Sequence, residues 1–163
     1  VKDPFCNTDN KQILKQVLND YDLETHDFLE WTEELTQEEI HNRITAHLKT
    51  DLGAILDMEP VEKGPGGHIS KLRIVGKDKE FIVGKELEIR RMLCTSTLKS
   101  SAFTIEVKDI EEGIPGRFVL RGRGWGHGVG LCQIGAAVMG EQGYGYKQIL
   151  KHYYTDIQIK RLS

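Results

Sequence analysis

Glycine occupies every second position from Gly122 to Gly130, in the run GRGWGHGVG. Glycine loses more conformational freedom on folding than any other residue. Such a run is therefore sustained only where the chain needs positive φ or a close backbone approach. The loop presents Arg123, Trp125, His127 and Val129 at defined positions and feeds a small-residue helix expected over Leu131–Glu141. A β-bulge or strand corner with Trp125 buried is the plain structural alternative. Otherwise the arrangement reads as a binding surface built on a tight backbone.

Phosphate cradles are the obvious competitors, and spacing argues against them. The dinucleotide fingerprint needs Gly-x-Gly-x-x-Gly opening a helix. From Gly124, Gly126 and Gly128 the sixth positions are Val129, Leu131 and Gln133. A Walker A loop needs Gly-Lys-Ser/Thr, whereas Gly84-Lys85 continues with Glu86. Cys132 and Gln133 fall at the first turn of the following helix, where free N–H groups and the helix dipole favour a polar oxygen or an anion. A thiol there can be partly ionised. A small-molecule hydrolase using Cys132 and His127 is therefore one candidate, resting only on their closeness in sequence.

At 163 residues the chain suits a single domain, 1–163, with a real hydrophobic core. A net charge of -3 gives a nucleic-acid partner no electrostatic support. No stretch approaches the roughly 20 apolar residues of a membrane span. Val1–Cys6 lacks the apolar centre of a signal peptide and an initiator Met, so localisation is not read from it. Cys6, Cys94 and Cys132 include no CxxC pair and read first as buried small hydrophobes. One disulfide plus one free thiol is the alternative in an oxidising compartment. No cofactor or metal site is expected.

Asp9 with Gln12 reads as a capping box, and the apolar spacing predicts a helix over Asn10–Asp20. Alternation of Leu29, Trp31 and Leu35 suggests a strand over Asp27–Leu35. Thr36 and Glu39 form a second capping box for a helix that Gly53 is expected to end. Ile55–Glu62, His68–Val75 and Glu80–Val83 read as a meander, with Leu72 and Ile74 on one face and Ile69 and Val75 on the other. Lys85–Leu93 is expected to be a short helix on the spacing of Leu87, Arg90, Arg91 and Leu93, with Arg90 and Arg91 either orienting acidic groups or lying on a solvated face. Ala102–Val107 and Arg117–Arg121 read as strands joined through Glu111–Gly116. A helix over Tyr146–Tyr153 and an alternating strand over Ile157–Leu162 complete the chain. The class is α+β: an antiparallel-rich sheet with several short helices packed on it.

The run GRGWGHGVGLCQIGAAVMGEQGYGYKQILKHYY, Gly122 to Tyr154, closely resembles the signature of the stage II sporulation protein D family, or amidase-enhancer domain. Upstream, Arg90–Leu93 with Ser100–Phe103, and Gly66–Ile74, are similar to the family's arginine–leucine segment, Ser-x-Phe strand and glycine turn. The resemblance implies a bacterial envelope protein directed at peptidoglycan glycan strands. Some members cleave these strands as lytic transglycosylases, and others enhance a cell-wall amidase. Transglycosylase chemistry needs a carboxylic acid of raised pKa to protonate the glycosidic oxygen. The family's catalytic glutamate lies in an N-terminal helical motif that no glutamate of this chain matches. The chain thus resembles the C-terminal half of the family's domain, with no catalytic residue of its own and the acid expected upstream. Alone, it would be inactive, or a non-catalytic glycan-binding or amidase-enhancing module.

Many relatives carry Ser at the position of Cys132 and a larger aromatic at that of Ile134, which weighs against an essential nucleophile. The candidate substrate-binding residues are Trp125, His127, Cys132, Gln133, Tyr146 and Arg91. Tyr144, Tyr146, Tyr153 and Trp125 could stack on sugar rings, although aromatics at such spacing also fill cores. His152 reads as a packed or capping residue. His26, His41, His47 and His68 carry no ligand spacing.

Overall fold

The computed structural model describes residues 5, 6, 8, 10–17 and 30–160. Two compact units divide the chain: Asp27–His127, and Val1–His26 together with Gly128–Ser163. The larger contains β1 (Glu30–Thr36), α2 (Gln37–Leu48), β2 (Ile55–Lys63), β3 (Ile69–Gly76), β4 (Glu80–Gly84), α3 (Glu86–Leu93), β5 (Phe103–Glu111) and β6 (Ile114–Arg123). The smaller contains α1 (Lys11–Val17), α4 (Gln133–Glu141) and α5 (Tyr146–Tyr153). The class is α+β as expected, with the strands in two antiparallel three-stranded sheets, ordered β1-β6-β5 and β2-β3-β4.

The larger unit is built around one core of apolar side chains. Leu35, Ile40, Ile44, Ile55, Leu72, Ile74, Ile89 and Phe118 are fully buried. Each such side chain contributes about 1.5–3 kcal/mol on removal from water. Helix α2 packs on β1 and β6, and α3 packs on β3 and β4. At the start of α2, Thr36 Oγ1 accepts from the Glu39 N–H at 3.2 Å, and Glu39 Oε2 accepts from the Thr36 N–H at 2.8 Å. The capping box is thus present as read.

Several boundaries differ from the reading of the sequence, each for a local reason. Helix α2 ends at Lys49, which itself adopts φ 55°, rather than at Gly53. Gly53 instead serves the following turn, donating its N–H to Asp51 Oδ1 at 2.8 Å. Ile69 joins Leu72 and Ile74 in the core, because the register slips between the Glu62–Lys71 and Lys63–Ile69 pairs. The extra residue, Ser70, resets the alternation of faces. In α3 the buried residues are Ile89, Arg90, Met92 and Leu93, while Leu87 is exposed. The connection before β6 tightens to Glu112-Gly113, both with positive φ, between the paired residues Glu111 and Ile114. That is the backbone of a two-residue hairpin turn whose twist matches its strands.

In the smaller unit α1 packs on α4, burying Ile13, Val138 and Met139. The helix expected over Asn10–Asp20 is seen over Lys11–Val17, and residues 18–20 lie outside the described residues, as do Asp9 and 27–29. Cys6 and Cys132 are joined in a disulfide with Cα atoms 6.6 Å apart, which corrects their reading as buried small hydrophobes. Cys94 is the free cysteine. The Phe5 ring meets Tyr144 and the exposed His152 edge-on, at 5.8 and 5.3 Å between centroids. The expected strand over Ile157–Leu162 does not form at residues 157–160, which join no sheet among the described residues; 161 and 162 lie outside them. Alternation alone does not make a strand without a partner to hydrogen-bond.

Candidate functional site

The glycine run starts inside the sheet. Gly122 belongs to β6 and pairs with Trp31 on one side and Phe103 on the other. A Cβ at Gly122 would overlap the Trp31 ring. The missing side chain lets Trp31 lie across the middle strand, with its ring centroid 6.1 Å from that of Phe103. Gly122 is therefore required by packing rather than by a turn.

Past the strand, Gly124, Gly126, Gly128 and Gly130 all have positive φ, between 69° and 110°. Non-glycine residues reach this region at a cost, so the alternation is a backbone requirement. A Cβ at Gly124 or Gly126 would meet nothing within 4 Å, so the backbone there faces open space. The first half of the loop is anchored on the segment before β5. Arg123 N–H donates to Ala102 O at 3.0 Å, Gly126 N–H to Lys99 O at 2.8 Å, and Ser100 Oγ to Arg123 O at 2.7 Å. These bonds hold Trp125 and His127 on a fixed backbone. Trp125 is 51% exposed, which sets aside the reading of a buried corner residue.

On the neighbouring segment, Ile69 N–H donates to Ser101 O at 3.0 Å, so His68 adjoins the same anchor. His68 is half-buried, and its imidazole is held below the ordinary value. Burial is the main cause, and Arg90, His127 and Arg123 add to it, while Glu86 opposes it. His68 Nδ1 and Ser101 Oγ are buried without a hydrogen-bond partner among the described residues. Arg90 is buried on α3, where Nη1 pairs with Glu86 at 3.3 Å and Nε donates to Leu98 O at 2.6 Å. Its neighbour Arg91 is exposed and pairs with Glu88 at 3.7 Å across one helical turn. Arg90, rather than Arg91, therefore stands among the groups around the loop. Sequence reasoning chose Arg91 over Arg90 and found no ligand spacing for His68, because their relation to His127 depends on the tertiary fold.

The remaining candidates lie in the smaller unit. Cys132 caps α4, its sulfur accepting from the Gly135 N–H at 3.4 Å while bonded to Cys6. In this oxidised state it has no thiolate, and the hydrolase reading loses its nucleophile. Gln133, exposed at the first position of α4, borders an open groove with Gln16, Leu131 and Ala137. The Tyr146 ring is 65% exposed at the start of α5. Trp125, His127 and Arg91 thus belong to one unit, and Cys132, Gln133 and Tyr146 to the other. Among the described residues no group of three or more His, Cys, Asp or Glu could hold a metal ion, and no helix is long and apolar enough to cross a membrane.

Among known proteins, the chain is 31% identical over 134 residues to an uncharacterized protein of Brachyspira hyodysenteriae, covering 79% of this chain and 32% of that protein. It is 37% identical over 67 residues to the amidase enhancer of Bacillus subtilis, covering 41% of this chain and 9% of that protein. It is 46% identical over 44 residues to the stage II sporulation protein D of Bacillus amyloliquefaciens, covering 27% of this chain and 13% of that protein. The chain thus spans about a third or less of the length of these relatives, and its similarity to the last two is partial. Residues 1–130 match the family described as a domain of unknown function, DUF8618. The chain belongs to that family.

Proposed function

We propose that this chain is a peptidoglycan-directed module, part of a lytic transglycosylase that cleaves cell-wall glycan strands. The observation carrying the proposal is the loop itself, where half-exposed Trp125 stands beside open glycine backbone and His127 follows two residues later. An exposed indole on a loop anchored by backbone hydrogen bonds offers an apolar face to a sugar ring. Partial similarity to an amidase enhancer and to a stage II sporulation protein D supports the cell wall as the target. The Cys6–Cys132 disulfide supports an oxidising, extracytoplasmic setting.

The acid that the reaction needs is proposed to lie in another part of the longer protein. A general acid must hold its proton near neutrality, so its pKa has to be raised. The carboxyls of Glu39, Asp51 and Glu62 are shifted the opposite way, by hydrogen bonds from Thr36, Gly53 and Lys71 respectively. Digestion of purified peptidoglycan tests this division of labour. Anhydro-muropeptides are expected from a protein containing the family's glutamate motif and not from this chain alone. Their release by this chain would place the acid within it and overturn the assignment.

The name of the amidase enhancer favours one second reading, a non-catalytic module that binds glycan or a wall amidase. In that case neither protein releases anhydro-muropeptides, and the added chain raises the rate of a wall amidase.

A further inference from the structure

Four cationic or imidazole side chains, His68, Arg90, Arg123 and His127, act on one another at the base of the glycine loop, and Glu86 is the carboxylate among them. The charged and imidazole groups near enough to act electrostatically on His68 are Glu86 and Arg90 from α3, Arg123 from the end of β6, and His127 from the loop. Glu86 is already paired with Arg90. Arg123 has no such partner: its side chain makes no ion pair among the described residues, although Glu30 stands opposite it in the sheet. Arg123 Nη2 lies 3.8 Å from the position a Cβ would take on Gly67, which brings the guanidinium alongside the Gly67–His68 segment. His68 is half-buried as a residue, with its Nδ1 enclosed and without a hydrogen-bond partner among the described residues. Gly124 and Gly126, which alternate with Trp125 between Arg123 and His127 in the loop, have open space where a Cβ would stand.

We infer that His68, Arg123 and His127, around the open backbone of Gly124 and Gly126, form a subsite for a carboxylate carried by the glycan. A guanidinium fork matches a carboxylate in shape and charge. An imidazole kept neutral by burial and by neighbouring cations regains its proton when an anion arrives, adding a charge-assisted hydrogen bond. The inference rests on the glycan reading and names the chemical group that this corner of the site takes. Two carboxylates can be offered by the polymer: the lactyl carboxyl of muramic acid where the peptide stem has been removed, since the stem otherwise occupies it as an amide, and the C-terminus of the stem where it is present.

The test follows the His68 imidazole nitrogens by NMR in the ¹⁵N-histidine-labelled chain. The probes are N-acetylmuramic acid, N-acetylglucosamine, D-alanyl-D-alanine and inorganic phosphate. N-acetylmuramic acid or the dipeptide is expected to shift the His68 resonances and move the titration midpoint upward. Whichever does so identifies the source of the carboxylate. N-acetylglucosamine, identical except for the lactyl ether, is expected to leave the midpoint in place. Arg123→Gln is expected to weaken binding of the acidic probe tenfold or more without changing the near-ultraviolet circular dichroism. His68→Gln is expected to remove the rise of affinity on acidification.

An equal response to the neutral sugar overturns the inference, as does an equal response to phosphate or none to either carboxylate. Sedimentation with whole peptidoglycan is measured in parallel. Retained sedimentation with a silent His68 removes the subsite and leaves the glycan reading standing. A responsive His68 without sedimentation does the reverse.

Discussion

Gly122 and His68 show how single positions set the site. At Gly122 the cost of a side chain is steric, because a Cβ would enter the Trp31 ring between β1 and β6. Gly122→Ala is expected to destabilise the larger unit by about 1–3 kcal/mol, as overpacking of a filled core does. Urea unfolding followed by tryptophan fluorescence measures this, and an unchanged midpoint would refute the packing role. At His68 the effect is electrostatic. Its folded pKa lies below the ordinary 6.5, so the unfolded chain takes up its proton first as pH falls. The contribution is fully present above the unfolded value and is lost as pH falls through it toward the folded value. The midpoint of urea unfolding should therefore fall on acidification below about pH 6.5, and the slope should flatten in His68→Gln. The positive-φ glycines of the loop were legible because their conformation is written in the residue type. His68 was not, since its neighbours arrive from α3, β6 and the loop, none of them adjacent in sequence.

At the scale of elements, local signals carried most of the fold. The Thr36–Glu39 box marked the start of α2, and short apolar repeats marked β3, α3 and α5. What failed were the ends and faces that depend on non-local partners. Lys49 ends α2 in a conformation usually given to glycine, and the bulge at Ser70 turns Ile69 inward. The row Trp31–Gly122–Phe103 was hidden because it exists only once three strands are in register. Thr36→Ala should destabilise the protein by about 1 kcal/mol, the usual worth of an N-cap, visible as a lower thermal midpoint. The Glu39 carboxyl is lowered chiefly by the Thr36 backbone N–H. Its part of this stability is present above the unfolded glutamate value of 4.5 and is lost on further acidification. In Thr36→Ala the hydroxyl partner is gone, so that acid-side loss should shrink.

At the scale of the whole chain, the disulfide and the loop carry the functional argument. Cys6 and Cys132 are 126 residues apart in sequence, and closing so long a loop restricts the unfolded chain strongly. The native oxidised protein should titrate one thiol, Cys94, under denaturing conditions, and three after reduction. Removing the bridge as Cys6→Ser with Cys94→Ser should lower stability by about 2–5 kcal/mol. Three thiols in protein purified from an oxidising compartment would argue against both the bridge and the extracytoplasmic setting. The pairing itself was not readable, because three separated cysteines leave every combination open. The most direct measurement is sedimentation of this chain with purified, protein-free peptidoglycan, comparing wild type with Trp125→Ala. Wild type should pellet with the polymer, and Trp125→Ala should lose about tenfold in affinity while staying folded. A wild-type chain that remains in the supernatant, or a Trp125→Ala variant that pellets as well as wild type, would contradict a glycan site at the glycine loop.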